Sequence, residues 1–170
     1  MVHRLVYYGN PTLASVAQKV ENIDDGIISL IREMSDIMAG ERGIGLAAPQ
    51  VDVGKRIIMV DTGEGKSGRV VLINPQIEKF SDTLEPYEEG CLSVPNIFTD
   101  VVRPAEIFIR GITPEGKEVE FEAAGLMARV LQHEVDHLDG ILFIDRVEKY
   151  IREGFRAELK KIRKMSRGLR

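Results

Sequence analysis

Two of the chain's three histidines stand in one five-residue run, His133 to His137, with the sequence HEVDH. Residues i and i+4 share one face of an α-helix, so both imidazoles can reach the same metal ion if this segment is helical. Glu134 lies beside them, where a carboxylate can exchange protons with a water on the metal. The run therefore predicts a helix that carries a hydrolytic metal centre. The alternative explanation is a pair of core histidines satisfied by hydrogen bonds.

This helix is predicted to begin near Ala124 and to end near Gly140. At 3.6 residues per turn, its apolar residues fall into two neighbouring rows that also contain the histidines and Glu134. The first row is Leu126, Val130, His133 and His137, and the second is Met127, Leu131, Glu134 and Leu138. Three polar residues are expected to face away from both rows: Arg129, Gln132 and Asp136. The predicted metal site thus lies in the buried stripe of the helix, where electrostatic interactions are strong.

The rest of the chain predicts an α+β fold. A helix begins at Asp24-Asp25 and ends near Gly40, and strands are predicted over residues 56–61 and 70–74. A hairpin is predicted from 106–111 and 117–121, a short strand over 141–144, and a helix at the C-terminus. Strands joined by short antiparallel links, with a helix late in the chain, indicate antiparallel sheets packed around a central metal-binding helix. At 170 residues, we expect a single domain spanning 1–170.

Charge is distributed unevenly along the chain. The last segment, residues 148–170, has nine Lys or Arg and three Glu, a net charge of +6, although the whole chain carries −4. A basic tail on an acidic body indicates contact with a polyanion such as RNA. The alternative is a solvated helix with ion pairs four residues apart.

The sequence also indicates where the protein works. No apolar stretch has the length of a signal-peptide core or of a membrane span. The single cysteine, Cys91, excludes an intramolecular disulfide framework. A cytoplasmic protein without membrane contact is therefore predicted.

A catalytic metal site needs more than the two histidines, because such sites generally have three protein ligands and one open position. Cys91 is the favoured third ligand, in a predicted loop or edge strand between Gly90 and Pro95. A lone cysteine is most often a small buried apolar residue, but Gly90 allows a close backbone approach here. A zinc endopeptidase would instead take a carboxylate downstream of the histidines: Asp139, Asp145, Glu148 or Glu153.

Three segments together resemble a known family. Residues 43–50 (GIGLAAPQ), 89–93 (EGCLS) and 132–137 (QHEVDH) resemble the three signature motifs of peptide deformylase, in the family's order and spacing. Residues 9–13 (GNPTL) also resemble its opening. The resemblance runs from about residue 5 to residue 147 and leaves only the basic tail outside.

The resemblance implies a metal-dependent hydrolase that removes the N-formyl group from the N-terminal formylmethionine of nascent polypeptides and releases formate. It implies metal ligation by Cys91, His133 and His137, and attack of a metal-bound water on the formyl carbon with Glu134 as general base and acid. The oxyanion donors implied are the Gln50 side-chain amide and the Leu92 backbone N–H. The ion implied is Fe²⁺, with Zn²⁺ as a less active substitute.

The substrate is expected to bind as an added strand. Ile44-Gly45 offers a backbone edge without an obstructing side chain, and Gly90 allows a second close approach. Ile44, Leu126 and Val130 are predicted to line an apolar slot for the methionine side chain. Because a deformylase must meet nascent chains as they emerge, the basic tail is predicted to contact ribosomal RNA through its phosphates.

Position 98 departs from the family pattern, because Phe98 stands where many relatives have an arginine that grips the peptide. The next arginine is Arg103, which we expect to pair with Glu89 or Asp136 and so brace the segments of the metal site. From a different class, a structural or redox-sensing metal module with an RNA-binding arm is the competing hypothesis.

Overall fold

The computed structural model describes residues 3–63 and 68–168. Its helices are α1 (Asp25–Gly40), α2 (Gly125–Leu138), α3 (Lys149–Gly154) and α4 (Arg156–Gly168). Its strands are β1 (Gly45–Ala47), β2 (Ile57–Asp61), β3 (Arg69–Phe80), β4 (Leu84–Cys91), β5 (Val94–Pro104), β6 (Glu106–Ile112) and β7 (Glu118–Ala124). Short 3₁₀ turns lie at Pro11–Ala14, Ala48–Val51 and Phe143–Asp145.

The strands form two separate antiparallel sheets. The larger sheet has five strands in the order β1-β2-β3-β6-β7, and β4 pairs with β5 in a sheet of two strands. The predicted hairpin is confirmed as β6–β7, with Ile112 opposite Glu118 at its turn. Helix α2 packs on the larger sheet through Val130, Leu131 and Val135. The predicted α+β fold with a central helix is therefore confirmed.

Helix α1 confirms the first predicted helix. The Asp24 side chain accepts a hydrogen bond from the Ile27 N–H (2.9 Å), which satisfies one of the unpaired donors of the first turn. The helix then buries one side against the larger sheet, where its apolar residues meet those of β1, β2 and β3. The buried residues of α1 are Leu30, Ile31, Met34 and Met38.

Helix α2 is buried on every side along most of its length. All residues from Ala128 to Leu138 are buried, including the three polar ones that were expected to face away. That prediction is wrong because the β4–β5 sheet covers this face of the helix. Gln132 Nε2 donates to the Pro104 carbonyl (2.9 Å), and Arg129 Nη1 donates to the Val101 carbonyl (2.8 Å). Polar residues on this face bind β5 instead of water.

One local prediction is confirmed and one is wrong. The segment around Cys91, predicted as a loop or an edge strand, is the end of the edge strand β4, joined to β5 by a tight turn at Leu92-Ser93. The strand predicted over 141–144 is absent; a 3₁₀ turn at Phe143–Asp145 takes its place. The Asp145 carboxylate accepts a hydrogen bond from the Leu142 N–H (3.0 Å), which favours the turn over an extended chain. Phe143 and Ile144 are buried without a strand partner.

The basic tail forms α3 and α4, and α4 packs on the body of the protein. Leu159, Ile162 and Ser166 are buried, and the two apolar residues join a cluster with β5 and the Phe143 turn. Lys160, Lys161 and other basic residues occupy the exposed face. Leu169 and Arg170 lie outside the described residues. In the described part of the chain, no helix is both long and apolar enough to cross a membrane.

Because α4 closes part of the core, we expect Leu159→Ala to lower the free energy of unfolding by about 2–4 kcal/mol. The side chain of Leu159 is 6% exposed, so its loss leaves a cavity against β5. Lys161→Ala, on the exposed face of the same helix, should change stability by less than about 0.5 kcal/mol. Urea denaturation measures both. Equal, small effects of the two substitutions would contradict a packed tail helix.

Candidate metal centre

Helix α2 and the end of β4 bring three metal-binding side chains together. Cys91, His133 and His137 each offer one ligand atom, and these atoms lie within 4.8 Å of one another. The Sγ of Cys91 is 3.3 Å from Nε2 of His137. One thiolate and two imidazoles are a donor set that suits zinc or iron, so these residues fit a divalent transition metal. In the described residues no other group of this kind is found.

A buried carboxylate orients one of the two histidines. Nδ1 of His133 lies 2.8 Å from Oε2 of Glu89. A carboxylate accepts, so Nδ1 donates, and in the neutral ring Nε2 carries the lone pair that would bind a metal. Nδ1 of His137 is buried and has no hydrogen-bond partner among the described residues. The protein therefore orients the ring of His133. Glu89 is a site residue that the sequence indicated through its motif and as an expected partner of Arg103.

Glu89 is itself held by Arg103. Arg103 donates from Nε to Oε1 (2.6 Å) and from Nη2 to Oε2 (3.0 Å) of Glu89, and from Nη1 to Asp136 (2.7 Å). Burial acts to raise the pKa of Glu89, but hydrogen bonds from His133 and Arg103 outweigh burial and lower that pKa to about 2. Asp136 also pairs with Arg146. The expected pairing of Arg103 is confirmed, with both carboxylates at once.

The Glu134 carboxylate is buried next to the donor set. Its atom Oε2 has no hydrogen-bond partner among the described residues. Burial raises the pKa of Glu134 to about 7, which suits a group that accepts and returns a proton near neutral pH. Gly45 makes room for it: a Cβ at position 45 would collide with Oε1 of Glu134 and lie 2.6 Å from Cγ1 of Val130. Glycine is required here by the close approach of α2 to β1.

Gln50 is fixed with its amide nitrogen toward the donor set. Its Oε1 accepts a hydrogen bond from the Ala47 N–H (2.8 Å), so Nε2 must point the other way. Nε2 lies 3.5 Å from the Sγ of Cys91 and 3.4 Å from the Oγ of Ser93. The side chain is 1% exposed and so has little freedom to turn. The 3₁₀ turn Ala48–Val51 thus presents an oriented N–H donor beside the cysteine.

A cleft of about 480 Å³ opens over these residues. Gln50, Cys91, His133 and Glu134 line it, whereas His137 does not. The other residues predicted to bind substrate or donate to the oxyanion also line this cleft: Ile44, Gly45, Gly90, Leu92, Leu126 and Val130.

The cleft also has lining residues that sequence reasoning missed: Tyr7, Arg42 and Arg129. Phe98 lies on its wall as well, and its ring fills the space that a side chain at Gly90 would need. Arg129 could have been suspected, because it lies one turn before His133 on the predicted helix.

Three of the four downstream carboxylates that a zinc endopeptidase would use lie beside basic side chains elsewhere. Asp139 pairs with Arg56 (2.7 Å), and Asp145 pairs with Arg152 (3.2 Å). Glu153 faces Lys149 on the exposed surface of α3. Among the described residues, only Cys91 completes a three-residue metal-binding group with the two histidines. The arrangement therefore disfavours the endopeptidase hypothesis.

Burial of Glu134 should make the metal-free protein less stable at high pH. The pKa of Glu134 is about 7 in the folded protein and 4.5 when unperturbed, so the folded state binds the proton more tightly than the unfolded state. The free energy of unfolding therefore falls as the pH rises from 4.5 and levels off above 7. Glu134→Gln removes this cost. We expect the metal-free variant to be more stable than the metal-free parent at pH 8, by about 1–3 kcal/mol, and to approach it at pH 5. Urea unfolding at both pH values measures the difference, and a difference independent of pH would contradict the assignment.

Known proteins resemble this chain in sequence and in fold. A family model described as polypeptide deformylase matches residues 2–153. The peptide deformylase of Picosynechococcus is 48% identical over 149 residues, which cover 86% of this chain and 80% of that protein. The peptide deformylase of Natranaerobius thermophilus is 49% identical over 144 residues, 85% of this chain and 91% of that protein.

The fold agrees with the sequence comparison. A crystal structure of peptide deformylase from Plasmodium falciparum superposes with a TM-score of 0.91 at 34% identity and covers 97% of this chain and 98% of that one. A family match over most of the length, relatives above 40% identity and a shared fold lead to one conclusion. The chain belongs to the peptide deformylase family.

Proposed function

We propose a role for each site residue of this chain in the reaction of its family. That reaction is the hydrolytic removal of the N-formyl group from the formylmethionine of nascent polypeptides. Cys91, His133 and His137 hold one divalent metal ion. The observation that carries this proposal is the convergence of their three ligand atoms within 4.8 Å. When bound, the ion supplies Lewis-acid activation of a water and of the formyl carbonyl.

Glu134 moves the proton. Its carboxylate accepts a proton from the attacking water and later donates it to the amine that leaves when the C–N bond of the formamide breaks. A pKa of about 7 allows both steps near neutral pH. The unpartnered Oε2 is the atom proposed to hold the proton between the two steps.

Gln50 and Leu92 stabilise the negative charge that develops on the formyl oxygen. Nε2 of Gln50 is oriented by the hydrogen bond between its own Oε1 and the Ala47 N–H, so the donor needs no rearrangement during the reaction. The backbone N–H of Leu92 comes from the β4–β5 turn, directly after Cys91. Leu92 packs against Gly43, where a Cβ would lie 2.9 Å from its Cδ1. That contact supports the position of the turn.

The peptide binds along β1. This strand is at one edge of the five-stranded sheet, with Gly45 opposite Val60 on its paired side. An extended peptide can add to such an edge through backbone hydrogen bonds. Gly45 and Gly90 both line the cleft and place no side chain of their own in the path of the peptide. Ile44, Leu126 and Val130 form the apolar slot for methionine, and Val130 also packs in the core.

Fe²⁺ is the proposed native ion, with Zn²⁺ able to replace it at lower activity. A thiolate with two imidazoles accepts either ion, so the donor set does not choose between them. Iron beside a thiolate makes Cys91 sensitive to oxygen. Metal analysis of protein purified without oxygen, together with formate release by the same sample, tests the choice of ion.

The tail is proposed to contact ribosomal RNA, in a protein that we expect in the cytoplasm. The exposed face of α4 supports the RNA contact, because Lys160, Lys161 and Lys164 lie on it while Leu159 and Ile162 face inward. Such a face can neutralise phosphates without disturbing the core.

Two substitutions test the proposed roles. Glu134→Ala should lower formate release from a formyl-methionyl peptide by at least about 100-fold because the proton carrier is lost, while the metal content persists. Cys91→Ala should lose the metal as well as the activity. Formate assay and metal analysis of oxygen-free preparations measure both variants. An endopeptidase would keep its metal without Cys91, and a structural metal module would release no formate even as the parent protein.

Reversing charge on α4 tests the RNA contact. The combined change Lys160→Glu, Lys161→Glu and Lys164→Glu should weaken ribosome binding and reduce its salt dependence, because phosphate contacts are lost. Activity on free formyl-methionyl peptides should be unchanged. The matched control carries Lys19→Glu, Lys79→Glu and Lys117→Glu, the same charge change at exposed positions elsewhere. Co-sedimentation at several salt concentrations measures binding, and equal loss in both variants would show that only net charge matters.

A further inference from the structure

Arg129 is a buried cation that none of the roles above uses. It lies on α2, one turn before His133, and is 7% exposed. Its Nη1 lies 3.1 Å from Oε1 of Glu89, the carboxylate that orients His133. A buried guanidinium is costly unless its donors are paired, so its contacts indicate what it does.

The remaining contacts of Arg129 are all to the β4–β5 sheet. Nη1 also donates to the Val101 carbonyl on β5 (2.8 Å), and Nη2 donates to the Glu85 carbonyl on β4 (2.6 Å). Its guanidinium carbon lies 5.7 Å from the centre of the Tyr87 ring, over the same strand. One side chain of α2 therefore holds both strands of the smaller sheet.

This connection matters because the proposed ligands are divided between the two elements. His133 and His137 belong to α2, whereas Cys91 is the last residue of β4. The separation of α2 and β4 sets the distance between the thiolate and the imidazoles. We propose that Arg129 is a positioning residue that holds β4 against α2 and fixes Glu89, and thereby keeps Cys91 and His133 at metal-binding distance.

Arg103 does not duplicate this connection. Its three donor atoms contact Glu89 and Asp136, and it ties β5 to the later turns of α2. The backbone carbonyls of Glu85 and Val101 accept from Arg129. A lysine at position 129 would carry the charge, but a single ammonium lacks the planar fork that reaches Glu89 and both carbonyls together.

The affinity for Co²⁺, measured by competition with a chelator and by the thiolate-to-cobalt absorption, tests the proposal. Arg129→Met keeps an unbranched apolar stem and removes the guanidinium donors, and we expect Co²⁺ to bind about 10- to 100-fold more weakly. Arg129→Lys should fall between Arg129→Met and the parent. Arg110→Met is the control, since Arg110 is an exposed arginine paired with Glu78 on the larger sheet, and it should leave the affinity unchanged.

A residue with only a structural role would lower the free energy of unfolding of the metal-free protein and leave the Co²⁺ affinity of the folded protein intact. That result for Arg129→Met would overturn the proposal. If Arg129→Met does not fold, Arg129→Lys decides, and parental affinity in it would also overturn the proposal. The inference rests on the proposed ligand set, so Cys91→Ala is measured alongside. If Cys91→Ala binds Co²⁺ as tightly as the parent, the ligand set itself is contradicted. If Cys91→Ala loses Co²⁺ affinity but both Arg129 variants keep the parental affinity, only the role of Arg129 is contradicted.

Discussion

The site depends on one buried carboxylate, Glu89, and on the donors around it. Arg103, Arg129 and His133 all donate to this group, which is 5% exposed. Hydrogen bonds from His133 and Arg103 keep the carboxylate charged, and the charged carboxylate orients the imidazole of His133 with its other nitrogen toward the donor set. Without these partners a buried carboxylate would be strongly unfavourable, so the four groups depend on one another. The same contacts join α2 to the β4–β5 sheet, which makes the proposed metal centre part of the packing between the two.

Burial of α2 between two sheets explains both its polar residues and its chemistry. The larger sheet covers the apolar rows, and the smaller sheet covers Arg129, Gln132 and Asp136 with hydrogen-bond partners. The same burial raises the pKa of Glu134 to about 7, far above that of an exposed carboxylate. This arrangement requires glycine at position 45, since any side chain there would collide with Glu134.

Much of this site could be predicted from the sequence, because its parts have local signatures. The spacing of His133 and His137 requires a helix, and the motifs around Gln50 and Cys91 identified the family. The β4–β5 sheet could not be predicted, because the polar and apolar residues of its strands do not alternate regularly. Several of its apolar residues, Leu84, Tyr87 and Val102, are exposed in the structure. Missing that sheet led to the wrong orientation for Arg129. The strand predicted over 141–144 failed for a related reason: a short apolar run does not distinguish a strand from a buried turn.

X-ray absorption of the metal-loaded protein tests the central claim most directly. With Zn²⁺ bound, the account predicts one sulfur ligand at about 2.3 Å and two imidazole nitrogens at about 2.0–2.1 Å. That spectrum would show that β4 and α2 share the ion. A metal surrounded by nitrogen and oxygen alone, with no sulfur in its coordination sphere, would contradict the account.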